Sequence, residues 1–265
     1  MSETDERLEE AWRLLEEDGP EEALDAAGDL DEGYVATWVL RATALLDLAR
    51  LDEAASACEQ AEVLGGRKDP GVLWARGEIA LARWDVDEAD RCYASILDEE
   101  REPAALERLA LVRDLQERFD EADELLAEAA AVDPELHPLP PRLDDEELDA
   151  LIEQAAGSLP DELRKHLDEI PIVVEAVPPL ELGRAGDPTE LPPDILGLFV
   201  GASLLERSDE DPVGAVPRIY LFQRNIERAC TDRDDVVEQV TITLFHEMGH
   251  YLGFDEEGVE GLGLG

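Results

Sequence analysis

Apolar residues recur at helical spacing along the last quarter of the chain: Val236, Val237, Val240, Leu244, Met248 and Leu252, with Ile242 and Phe245 widening the stripe. A stripe this broad predicts a central, mostly buried helix. Thr231 is the predicted N-cap. Asp234, three residues on, closes a weak capping box, and Asp232, Asp234 and Asp235 suit the positive end of the helix dipole. Gly253 fits a left-handed position just past the helix, with Phe254 as the following hydrophobic contact.

Upstream the pattern changes twice. Asp144–Ala156 reads as a helix with Leu148, Leu151 and Ile152 inward, and a shorter one opens at Pro160 and ends near Leu167. Short apolar runs at 172–175, 195–202 and 218–222 read as strands, the first two separated by a proline-rich loop from Pro178 to Pro193. This order predicts an α+β domain in which a small sheet packs on the last helix.

The first half is periodic. Asp-Glu-Ala occurs at 52–54, 87–89 and 120–122, with a weaker copy at Glu21-Glu22-Ala23, a spacing of about 34 residues. Before each alanine stands another small residue: Ala11, Ala42, Gly77 and Ala110. Large residues flank both positions, among them Trp38, Leu73, Leu106, Tyr93 and Leu126. Each unit reads as a helical hairpin that cannot bury its apolar face alone and must stack on its neighbours. Trp38, Trp74 and Trp84 are expected in the core. Asp133–Pro141, with four prolines, predicts a stiff boundary in which His137 is exposed.

Composition narrows the partners. Hydrophobic residues make up 44% of the 265, enough for a sizeable core, while aromatics at 5% leave that core to Leu, Val and Ala. The formal net charge is -46, and the acidity is spread over both halves. Such a surface repels nucleic acid and anionic membrane, so neither is an expected partner. Cys58, Cys92 and Cys230 are far apart and form no C-x-x-C, so they read as small core residues in a reducing compartment. No apolar segment follows Met1, and no run is long enough to span a bilayer. The expectation is a soluble cytoplasmic protein.

The predicted last helix carries His246-Glu247-Met248-Gly249-His250. Two histidines one turn apart can bring both imidazoles to one metal ion. The glutamate after the first can serve as general base toward a metal-activated water. In peptidases of the pattern H-E-x-x-H-x-x-G-x-x-H/D, the third ligand stands three residues past the glycine. Here that residue is Glu256, flanked by its competitors Asp255 and Glu257, of which Asp255 is the nearer rival. The expected set is His246, His250 and Glu256 on Zn2+, with Glu247 as the catalytic base. Tyr251 and Tyr220 are candidate oxyanion donors, and 196–202 a candidate edge for an extended peptide. His166 is expected on the surface.

On these residues the first half resembles the tetratricopeptide repeat, through roughly residue 135. Residues 142–265 resemble the small bacterial zincin-like metallopeptidases. The resemblance rests on Leu159–Leu163, Ile172–Glu175, Leu196–Gly201, Arg218–Phe222, and His246–Glu256 with Leu262-Gly263. The whole chain then reads as an α-solenoid of helical hairpins (1–135), a Pro-rich linker (136–143) and a small α+β zincin-like domain (144–265). The resemblance implies zinc binding and peptidase activity on a peptide or protein substrate, with the repeat groove taking a protein partner. The alternative is a non-catalytic adaptor with a structural or degenerate zinc site.

Overall fold

The computed structural model describes residues 3–17, 19–159, 161–167, 170–185, 191–203, 217–255 and 258–259. Among them, the first half holds α1 (Glu3–Glu17), α2 (Pro20–Gly28), α3 (Val35–Asp47), α4 (Leu51–Val63), α5 (Pro70–Ala82), α6 (Val86–Glu99), α7 (Pro103–Leu115) and α8 (Phe119–Val132). The second half continues with α9 (Asp145–Ser158), α10 (Asp161–Leu167), β1 (Ile172–Glu175), α11 (Leu180–Ala185), β2 (Gly197–Val200), β3 (Arg218–Phe222), α12 (Gln223–Arg228) and α13 (Arg233–Leu252). The chain divides into two compact units. One comprises Met1–His137 with Pro179–Pro193, the other Pro138–Pro178 with Asp194–Gly265. No helix among the described residues is long and apolar enough to cross a membrane.

In the first unit consecutive helices pack as pairs, α1 with α2 through α7 with α8. Prolines at the first helical position open α2, α5 and α7, where a missing N–H costs nothing. The Asp69 side chain caps α5 by accepting from the N–H groups of Gly71 and Val72. The small residues singled out by the repeat are all buried: Ala11, Ala23, Ala42, Ala54, Ala89, Ala110 and Ala122 are fully enclosed. A Cβ on Gly77 would stand 2.8 Å from the Tyr93 ring, so the glycine makes room for the large residue of the next helix.

The hairpin turns recur with the same geometry. Ala49, Trp84 and Glu117 have φ of 56°, 58° and 59°. In each case the next residue's N–H closes a bond back over the helix end: Arg50 to Leu45, Asp85 to Ala80 and Arg118 to Arg113, all at 2.8 Å. A left-handed non-glycine residue costs roughly 1 kcal/mol, offset here by the helix carbonyls that the turn satisfies. Between the helices, Glu78 accepts from the Tyr93 hydroxyl at 2.5 Å and from Arg108 Nε at 2.7 Å, tying α5 to α6 and α7.

Two segments differ from the sequence reading. His137 is half-buried, with Nδ1 2.9 Å from Glu107 Oε1, because the segment folds back onto α7. The proline-rich stretch Pro179–Pro193 packs with the helical unit instead of the second half, and part of it is helical, as α11. Trp84 holds it. The indole lies where a Cβ on Gly183 would stand 1.9 Å away, and its Nε1–H donates to the Leu191 carbonyl at 2.8 Å.

In the second unit β3 is central. β1 pairs with it in parallel, Ile172 opposite Ile219, and β2 antiparallel, Gly197 opposite Leu221. Ile219 and Leu221 point from β3 into a core shared with Leu148, Ile152 and Ala155 of α9 and with Val236, Val240, Leu244 and Met248 of α13. Those last four are four residues apart, one continuous stripe, and all are fully buried. Each such side chain contributes about 1.5–3 kcal/mol of burial, so α13 is fixed to the sheet along its length.

α12 was not foreseen. Its buried Glu227 accepts from Arg142 Nη1 at 2.7 Å, Gln223 Nε2 at 2.8 Å and Leu143 N at 3.1 Å. Asn225 Nδ2 donates to the Ile195 carbonyl at 2.8 Å and secures the approach to β2.

Candidate metal centre

α13 delivers the H-E-x-x-H residues. Its N-cap is Asp232 instead of Thr231: the Asp232 carboxylate accepts from the N–H groups of Asp234 and Asp235. Thr231 sits one residue earlier and is held through its own N–H and hydroxyl by Asp235. An aspartate at the cap reaches two orphan donors and adds charge at the dipole's positive end. At the other end Gly253 is left-handed, with φ 98°, and Phe254 N–H closes onto the Gly249 carbonyl at 3.1 Å.

This closing turn orients a histidine. The Phe254 carbonyl lies 3.2 Å from His250 Nδ1. A carbonyl only accepts, so Nδ1 carries the proton and Nε2 keeps its lone pair. That Nε2 stands 3.1 Å from His246 Nε2. Two nitrogens bound at about 2.0–2.1 Å to one tetrahedral zinc would be roughly 3.3 Å apart. The two side chains therefore fit a shared zinc ion, and the carbonyl behind His250 is the kind of second partner that fixes a ligating tautomer. Both histidines are half-buried.

Glu247 is buried, and its Oε2 accepts from the backbone N–H of Phe199 in β2 at 2.6 Å. The helix comes this close because residue 197 is glycine: a Cβ there would stand 2.5 Å from Thr243 Cγ2 and 3.3 Å from Glu247 Cγ. Beyond the helix, Gly249 admits Val259, whose Cγ2 would be 2.6 Å from a Cβ at that position.

The third ligand expected from the sequence, Glu256, lies outside the described residues, as does Glu257. Asp255 is described: its Oδ1 accepts from Gly258 N–H at 2.9 Å, and its carbonyl from Val259 N–H. Among the described residues no three His, Cys, Asp or Glu side chains are grouped to hold one ion. Tyr251 is a core residue, its ring packed edge-on against Phe199 and tilted on His166. His166 is thus half-buried against Tyr251, not a free surface side chain. Tyr220 alternates with Ile219 and Leu221 and so lies on the sheet face away from α13. Burial pushes the Cys58, Cys92 and Cys230 thiols up to about 11, which keeps them as protonated core groups.

α13 thus brings two imidazoles together beside a small mixed sheet. The profile of a zincin-like metallopeptidase family matches residues 167–264, which span all three strands and α13. That similarity suggests zinc-dependent proteolysis on a peptide or protein. No curated protein matches the chain.

Proposed function

We propose that the protein is a zinc metallopeptidase in which His246, His250 and Glu256 hold the ion and Glu247 is the general base. The observation that carries the reading is the convergence of the two Nε2 atoms, one of them with its tautomer set by the Phe254 carbonyl. Bound zinc would supply water activation and carbonyl polarisation. Glu247, one residue from His246, takes the proton of the attacking water and returns it to the leaving amine. The open side of β2 receives the substrate as an added strand. The helical hairpins of the first unit stack as tetratricopeptide-like repeats and recruit a protein or peptide, with the protein acting in the cytoplasm.

Glu247→Gln tests the assignment. The variant is expected to keep its zinc and to lose at least about 100-fold in hydrolysis of an unstructured protein. Undiminished cleavage by the purified variant would remove Glu247 from the role.

A further inference from the structure

The register of β2 leaves one backbone donor in an unusual position. Phe222 N–H bonds to the Leu196 carbonyl at 2.9 Å. In an antiparallel ladder residues that exchange bonds alternate with residues that do not. Leu198 opposite Tyr220 and Val200 opposite Arg218 therefore turn their polar groups toward β3. Gly197 and Phe199 turn theirs away, to the side where no strand pairs among the described residues. A strand edge of this kind is a template for another chain. The donor at its centre, Phe199 N–H, is taken by Glu247 Oε2. At 2.6 Å to a carboxylate this is a short, charge-assisted bond. The Phe199 ring against Tyr251 and the close approach at Gly197 hold strand and helix in place.

We propose that Glu247 caps the open edge of β2 in the free protein, and that an extended peptide seats there by taking Phe199 N–H from it. This rests on the peptidase reading, because it takes β2 as the substrate edge. The N–H has one proton, and the two acceptors compete for it. A peptide carbonyl laid along the edge replaces the carboxylate, which is then free to turn toward the reacting water. Seating of the chain and release of the base become one event. The substrate class follows: an extended main chain that brings a carbonyl to Phe199, as opposed to a small amide or a folded surface loop. The same cap shields the edge from pairing with a second copy of the protein.

The test reads the Phe199 amide in the full chain, independently of hydrolysis. In 15N-labelled protein, Glu247→Ala should raise the exchange rate of Phe199 N–H about tenfold or more, while Glu247→Gln, which keeps an acceptor oxygen, should raise it far less. Leu198 and Val200 amides, bonded to β3, report whether the variant is folded. A fluorescein-labelled pool of random dodecapeptides rich in Lys and Arg should bind Glu247→Ala about three- to tenfold more tightly than Glu247→Gln. Equal exchange of Phe199 in wild type and Glu247→Ala overturns the proposal, as does equal peptide affinity of the two variants. Should Glu247→Ala not fold, the Glu247→Gln protein decides: its Phe199 amide must shift when the peptide pool is added, and an unmoved resonance at saturation overturns the exchange. Persistent cleavage by Glu247→Gln would instead strike the base assignment and leave the cap standing.

Discussion

His250 is clamped between two partners: its Nδ1 faces the Phe254 carbonyl at 3.2 Å and its Nε2 faces His246 Nε2 at 3.1 Å. The Phe254 carbonyl is where it is because Gly253 turns left-handed. Gly253→Ala should therefore do more than cost the roughly 1 kcal/mol of a strained turn. It should weaken zinc affinity about 10–100-fold by loosening the group behind the ligand. His246→Ala and His250→Ala should each reduce bound zinc to below about a tenth of an equivalent. Competition with a chromogenic chelator, with metal analysis of dialysed protein, measures both effects.

Glu227 should prove to be a structural hub of the second unit. Its carboxylate is enclosed and joins Arg142, the Leu143 backbone and Gln223. Glu227→Ala removes the acceptor that these donors share in the interior of the unit and is expected to cost about 3–5 kcal/mol. Urea unfolding followed by tyrosine and far-UV signals would show the midpoint fall, and a change under about 1 kcal/mol would contradict the assignment.

The helical unit should carry an acid-sensitive contact at Asp90. Burial would raise its carboxyl, but the hydrogen bonds from Arg113 and Gln116 and the Arg113 charge outweigh it, so the group is held below its ordinary range. A depressed folded value means that the contact stabilises above the unfolded pKa of about 3.9 and is lost as pH falls through the lower folded value. Asp90→Asn should cost about 1–2 kcal/mol at pH 7. The gap from wild type should hold down to about pH 4 and close below it. Thermal melts of both proteins across that range give the comparison.

The sequence displayed what depends on period and local chemistry. α13, its left-handed stop at Gly253 and the small-residue positions of the hairpins were legible because spacing alone sets which face is buried. The three strands were legible as apolar runs. α12 was not, because Gln223–Arg228 is polar apart from Ile226, yet Arg224, Asn225, Ile226 and Glu227 are all buried. Their burial depends on partners as distant as Arg142 and Ile195, which no local pattern announces. The turns at Ala49, Trp84 and Glu117 escaped notice because no glycine marks them. The histidine pair could be read from four residues of separation, whereas the hold of Phe199 on Glu247 spans 48 residues and depends on the sheet register.

Trp84 has a consequence for anyone dividing the molecule. Its indole covers Gly183 and holds Leu191, so residues 179–193 belong to the helical unit by packing and to the strand-bearing half by order along the chain. A cut at the proline-rich stretch near residue 138 therefore does not yield two self-sufficient pieces. The amino-terminal fragment would expose a tryptophan that is otherwise covered, and the carboxy-terminal fragment would trail a fifteen-residue tether, 179–193, without its mooring. Both fragments would be expected to self-associate, and mixing them should restore the covered indole, visible as a blue shift in its fluorescence.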